Sequence, residues 1–265
     1  MRMMSIASGS SGNCIYIGTD TTHLLIDDGI SKKKVLEGLA KLDLKAEDID
    51  AILITHEHDD HITGLGVLER HKSIPIYGTR GTLERIYKNK KLGELPDGIF
   101  KPFIAGDSLT FGDITVNSTS ISHDAADPVA YTFSAGNKRA GIITDLGLYT
   151  ENIIKNFSDL DTLLIESNHD VNMLMTGPYP YMLKQRILGS KGHLSNADCG
   201  QLLANILSDR TGNIFLGHLS KENNFPELAY ETVRLEINLG DNRFKAEDFN
   251  IRVADRSMPS DIAIF

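Results

Sequence analysis

The apolar run Ala51-Ile52-Leu53-Ile54 leads directly into Thr55-His56-Glu57-His58-Asp59-Asp60-His61. Three imidazoles and several carboxylates thus share one short loop at the end of a buried strand. Protonated, the three histidines would repel one another, and a divalent cation relieves that crowding. Imidazole nitrogen and aspartate oxygen suit zinc, manganese or iron better than magnesium or calcium. A metal at a strand end, open to water, makes hydroxide near neutral pH.

At 265 residues and 41% hydrophobic content, the chain can bury a full α/β core. The net charge of −9 argues against general coating of nucleic acid, though not against a local cationic site. Two bound divalent cations would supply roughly four positive charges where they count. Cys14 and Cys199 are the only cysteines and form no CxxC pair, which fits a reducing cytoplasm and excludes a disulfide scaffold. The opening Met1-Arg2-Met3-Met4-Ser5-Ile6-Ala7 is interrupted too soon, by Ser8-Gly9-Ser10-Ser11-Gly12, to read as a signal peptide. No run approaches the length of a membrane span. The expectation is a cytoplasmic protein with no membrane partner, its oligomeric state unreadable.

Turn residues separate short strands at 3–7, 14–18 and 23–27. Ser31 caps a helix to about residue 42, with Val35, Leu36, Leu39 and Leu42 at helical spacing. Strand 51–55 delivers the histidine loop, and a helix is expected from about Thr63. A strand at 74–77 and a basic helix at 79–90 follow. Strands return at 107–111, 113–120, 129–134 and 139–144. Beyond them come a helix at 150–157, a buried strand at 162–166, helices at 181–188 and 196–209, a strand at 213–216, a helix at 225–239 and a strand at 250–253. Strands cluster in two halves, each followed by helices. This predicts a single α/β domain over 1–265, a four-layer αββα sandwich. Residues 256–265 read as a tail that pairs with another subunit or frays.

His56-x-His58-x-Asp60-His61 resembles the signature of metallo-β-lactamase fold hydrolases. Other ligand types follow in the same order at predicted strand ends: Asp27, His123, Asp145 and His218. The resemblance implies two divalent transition-metal ions. His56, His58 and His123 would hold the first, and Asp60, His61 and His218 the second. Asp145 would bridge them, and Asp27 would support the histidine loop from behind. By chemistry alone Asp28 competes for that last role; the family pattern selects Asp27.

Four further segments are similar to the YycJ/WalJ (VicX) group: Ser8-Gly9-Ser10-Ser11-Gly12-Asn13, Glu166-Ser167-Asn168-His169-Asp170, Gly192-His193-Leu194-Ser195-Asn196 and Gly217-His218-Leu219-Ser220-Lys221-Glu222-Asn223-Asn224. That group is related to PhnP phosphodiesterase and RNase Z, and its members are regarded as DNA exonucleases. The implied activity is hydrolysis of phosphodiesters in DNA by a metal-bound hydroxide. RNase Z-like enzymes carry a similar histidine before a Ser or Thr, which makes His193 the candidate general acid and a candidate phosphate contact. Ser195 would cap the helix after it. Asp60 is a ligand first and a proton carrier second. Lys221 is a candidate phosphate contact.

Plainer readings stand beside several of these. His193 would otherwise pack against the helix it precedes, and Lys221 would be a solvated loop charge. Tyr179 and Tyr181 could stack a base, though Pro178 and Pro180 suit a turn. Lys32-Lys33-Lys34 and Lys88-Asn89-Lys90-Lys91 read as solvated helix faces before they read as phosphate tracks. His169 is either an outer partner of the site or a turn residue, and His23 and His71 are ordinary. The rivals to a nuclease are a hydrolase of a small ester (a cyclic phosphodiester, thioester or lactam) and a di-iron redox or sensor module. No Ser-His-Asp, Walker or Rossmann pattern competes.

Overall fold

The structure, a computed structural model, describes residues 1–70 and 72–265. The chain divides into two compact units. One comprises Met1–Ser120, Ala125–Val129 and Asp255–Ile264; the other comprises Ile121–Asp124, Ala130–Ala254 and Phe265.

In the first unit, β1 (Arg2–Ala7), β2 (Cys14–Gly18) and β3 (His23–Ile26) form an antiparallel meander. β4 (Ala51–Leu53), β5 (Ile76–Thr79) and β6 (Phe100–Phe103) then add in parallel. Helices α1 (Lys32–Ala40), α2 (Asp59–Ile62), α3 (Leu65–Glu69) and α4 (Arg80–Lys88) lie in the connections. Val35 and Leu39 of α1, Leu65 and Leu68 of α3, and Leu83 and Ile86 of α4 share one apolar core with Ile6, Leu25, Ile52 and Ile76 of the strands. Ser31 and Thr79 cap α1 and α4 by accepting from Lys34 and Thr82 amides. A hairpin of β7 (Ser108–Phe111) and β8 (Ile114–Ser120) follows.

The second unit runs through β9 (Val129–Ala135), β10 (Lys138–Ile143), α5 (Glu151–Phe157), β11 (Thr162–Glu166), α6 (Val171–Thr176), α7 (Tyr181–Leu188), α8 (Asn196–Ile206), β12 (Asn213–Gly217), α9 (Pro226–Leu239) and β13 (Asn250–Val253). β9 and β10 are antiparallel, while β10 to β13 are parallel. Ile153 and Phe157 of α5, Leu202, Leu203 and Ile206 of α8, and Val233 and Ile237 of α9 pack with Ile143, Ile165 and Leu216 of the strands. The chain ends in β14 (Ala263–Ile264), antiparallel to β1. The strand orders are β14-β1-β2-β3-β4-β5-β6 and β13-β12-β11-β10-β9-β8-β7, two mixed sheets with flanking helices.

The chain departs from the sequence expectations in four places. Residues 256–265 are not a loose tail: β14 covers the edge of β1, and the Ser260 amide donates to the Ser5 carbonyl at 2.8 Å. β6 went unexpected because it contains Pro102, which only an edge strand tolerates. α6 is a six-residue helix between its Asp170 cap and Gly177. The helix expected from about Thr63 is α3, but a further short helix, α2, precedes it inside the histidine loop, where Asp59 and Asp60 occupy a first turn that favours negative charge.

Candidate metal centre

In the first unit, the chemistry gathers beyond the C-terminal ends of two parallel strands, the usual position for a site in such a sheet. Asp27 follows β3 with φ at +61°, a left-handed turn that aspartate tolerates. The turn aims its carboxylate at the histidine loop. Oδ1 accepts the Thr55 amide at 2.8 Å, and Oδ2 accepts the Thr55 hydroxyl at 2.9 Å. Diverting that amide to a side chain also explains why β4 stops at Leu53 rather than at 55. His61 Nδ1 lies 2.7 Å from Asp27 Oδ2. Its Nδ1–H therefore donates, and the lone pair belongs to Nε2.

Asn13 Nδ2 approaches His61 Nε2 at 3.1 Å, and Asp60 Oδ2 stands 3.6 Å from it. His56 Nε2 is 3.1 Å from His58 Nδ1, and the His56 and His61 rings are 4.1 Å apart at their centroids. His56 and His61 are buried, while His58 and Asp60 are partly open. A Cβ on Gly29 would collide with the Asp60 carbonyl, so only glycine lets β3 and this loop come so close. Asp28 joins the arrangement only through its backbone, its amide donating to the His61 carbonyl at 2.9 Å. Its carboxylate is buried without a hydrogen bond among the described residues, and burial together with nearby Glu69 and Asp27 pushes its pKa well up.

In the second unit, Asp145 follows β10 and His218 follows β12, with φ at +58° and +55°. Left-handed non-glycine residues concentrate where function over-determines the backbone. Glu166, at the end of β11, is wholly buried among them. Its Oε1 lies 2.8 Å from both His193 Nδ1 and His218 Nδ1. Its Oε2 accepts the amides of Leu146 at 2.7 Å and Leu194 at 3.0 Å. Asp145 Oδ1 lies 3.5 Å from His193 Nδ1, 3.6 Å from His218 Nδ1 and 3.7 Å from His123 Nε2. His123 Nδ1 is 3.0 Å from the Gly192 carbonyl, which leaves Nε2 as its ligand atom. Asp145, Glu166, His193 and His218 offer donor atoms that all lie within 4.8 Å of one another.

The electrostatics follow from that geometry. Burial alone would push Glu166 up, yet His193 and the bonds from His193 and His218 draw it down to about 2. Burial pulls His193 down, but Glu166 and then Asp145 outweigh it, and its pKa is raised. Glu166 is thus a carboxylate at neutral pH, and its charge holds His193 further toward the imidazolium than a free histidine would be. The sequence reading gave Glu166 no role. Its signal was an acid closing the apolar strand Thr162-Leu163-Leu164-Ile165, where a buried charge demands partners.

The remaining residues sort readily. His169 is buried, and burial lowers it to about 4. Its carbonyl accepts the Asn196 amide at 2.9 Å and it bridges to Ser195, so it shapes the backbone around His193. Ser195 caps α8, accepting the Asp198 amide at 3.1 Å. Lys221 is exposed on the loop after β12, and Lys33 and Lys91 pair with Glu37 and Asp59 on exposed faces. His23 bonds the Tyr16 hydroxyl at 2.8 Å. His71 lies outside the described residues.

Comparison with known proteins shows the family of the chain. Residues 22–212 match the model of the β-lactamase superfamily domain. The chain is 45% identical over 228 residues to the exodeoxyribonuclease WalJ of Streptococcus pneumoniae serotype 2, covering 86% of this chain and 85% of that one. It is 40% identical over 258 residues to the exodeoxyribonuclease YycJ of Bacillus anthracis, covering 97% and 96%. Among solved structures, the short form of human tRNase Z superposes with a TM-score of 0.66 at 18% identity, over the whole of both chains. At that identity the likeness concerns the metallo-β-lactamase fold.

Proposed function

The chain belongs to the β-lactamase superfamily and, within it, to the WalJ/YycJ family, and we propose that it is a two-metal phosphodiesterase that degrades DNA from an end. No described helix is long and apolar enough to cross a membrane, and we place the enzyme in the cytoplasm. The family pattern assigns His56, His58 and His123 to one ion, Asp60, His61 and His218 to the other, and Asp145 to both. The donors suit such ions. They are imidazoles and carboxylates without thiolate, and Nδ1 of His61, His123 and His218 each faces an oxygen acceptor, leaving Nε2 for a metal. Zinc, manganese and iron all fit this set. When bound, the ions supply Lewis acidity, lowering the pKa of water and neutralising phosphoryl oxygens.

The observation that carries the reading is the Glu166–His193 pair. A thioester expels a thiolate, which leaves without a proton and has little use for an imidazole held toward its charged form by a carboxylate. A phosphodiester must expel an alkoxide, and His193 can meet that need. Its Nδ1 proton is held by Glu166 at 2.8 Å, so Nε2–H is the one to give to the departing oxygen. Glu166 keeps the ring oriented and charged, and Asp145 adds to that charge. Lys221 is assigned to a phosphate further along the strand. The choice of DNA rests on the two exodeoxyribonucleases that the chain resembles.

The test is to assay metal-loaded protein on end-labelled duplex DNA, single-stranded DNA, RNA and bis-p-nitrophenyl phosphate. His58→Ala is expected to lose both metal and activity. His193→Ala is expected to keep metal and slow turnover by ~10²-fold or more. Full activity in His193→Ala would remove its assigned role. Hydrolysis of thioesters without any phosphodiester would reject the nuclease.

A further inference from the structure

One surface of the second unit is not used by the chemistry above. α6 and α7, joined by Gly177-Pro178-Tyr179-Pro180, carry Val171, Met175, Tyr181, Met182 and Leu188 as exposed large apolar side chains. Tyr181 is 69% exposed and Met182 76%. Scattered apolar residues on a surface need no explanation, but a concentration on adjoining short helices does. The charge there is unusual as well. From 171 to 197 the chain has no acidic residue, whereas Lys184, Arg186 and Lys191 are basic. No other stretch as long is free of acids, in a chain of net charge −9.

This surface is tied to the candidate acid. The His193 amide donates to the Ile187 carbonyl at 3.0 Å, and the Gly192 amide to Gly189 at 2.8 Å. A Cβ on Gly192 would collide with the Ile187 carbonyl, so α7 ends pressed against the residue before His193. Arg186 binds Asp124 through two nitrogens, at 2.5 and 3.1 Å, and Asp124 adjoins His123. The last turn of α7 is therefore fixed to two residues of the site, and its first residue, Tyr181, lies about 10 Å from the helix end along the axis.

We propose that the α6–α7 face is a stacking platform for the bases of a single-stranded DNA end whose backbone runs toward His193. The proposal rests on the nuclease reading above. Aromatic and thioether side chains take any base by its flat face, and Lys184 and Lys191, in a segment without acids of its own, suit a polyanion, whereas Arg186 is matched by Asp124. A protein partner would more naturally meet an apolar patch of mixed charge. Tyr181 with Met182 is the centre of the platform, and Lys191 is a phosphate contact beside it.

Fluorescence anisotropy with a labelled phosphorothioate oligothymidylate, which resists cleavage, measures this on the metal-loaded full-length protein. Tyr181→Ala combined with Met182→Ser is expected to weaken binding about 10-fold or more while its thermal midpoint stays that of the wild type. Tyr181→Phe is expected to bind like the wild type, since stacking needs the ring and not the hydroxyl. Lys191→Ala is expected to lower the slope of log affinity against log salt. If the double variant binds as tightly as a wild type that digests DNA, the platform is overturned and the nuclease stands. If the double variant changes only sedimentation, the face joins two copies of the chain and the platform is again overturned. If the wild type neither binds nor digests any polynucleotide, the nuclease reading fails, and the platform with it.

Discussion

Glu166 holds the His193 imidazole toward its charged form, and that gives its removal a direction. Burial works against a charged His193, and the Glu166 carboxylate more than offsets it. The acid form of a histidine raised in this way is fully present below its ordinary pKa and is lost as pH rises through the raised one. Glu166→Gln is expected to move the alkaline limb of the kcat–pH profile to lower pH and to cut kcat near neutrality ~10-fold or more. An unmoved limb would take Glu166 out of that role. Glu69 offers a test of stability instead. Burial pushes its carboxyl from 4.5 up to about 8, against one amide bond from Ile74. Between those values the folded chain keeps a proton that the unfolded chain gives up, so stability falls as pH rises across the window. Calorimetry is expected to find Glu69→Gln flattening that decline; parallel curves for variant and wild type would contradict it. The residues facing these questions were unevenly legible. The histidine loop stands out because three imidazoles on one loop have no ordinary structural use. Glu166 does not, because an acid ending a strand looks like a residue turning to solvent until its four bonds are seen.

At the scale of elements, capping and periodicity were readable wherever a local rule decided the outcome. Ser31 and Ser195 cap the helices that follow them, and the strands Thr162–Glu166 and Asn250–Val253 have the expected bounds. Elements decided by distant partners were not readable. β6 exists because β5 offers it an edge, despite Pro102. β14 is two residues long and has no pattern of its own; it forms because β1 would otherwise present unpaired backbone. Its role gives a prediction. Removing residues 256–265 takes away the bonds of Ser260 with Ser5 and uncovers β1. Urea unfolding is expected to show a loss of about 2 kcal/mol or more, and the truncated chain is expected to aggregate on warming. A truncated protein as stable and soluble as the full chain would mean that β14 contributes nothing.

For the whole molecule, two clusters of strands with helices between them announced an α/β fold with two sheets, and the two mixed sheets are present. Local patterns could not announce the division into two compact units or the exchange of segments between them, since residues 121–124 and 125–129 belong to different units. The candidate ligands were named together because each stands near where a strand ends. Asp27, Asp145 and His218 all leave their strands in the left-handed conformation, which Asp43 and Asp159 also adopt in other turns. A net charge of −9 also favours taking up cations wherever carboxylates and neutral imidazoles gather. The central claim is therefore that these separate donors serve two ions. Equilibrium dialysis against zinc or manganese, followed by elemental analysis of the protein, measures it directly. Two ions per chain are expected for the wild type, and fewer for His58→Ala and for His218→Ala; a wild type that retains none, or variants that retain as much as the wild type, would contradict it.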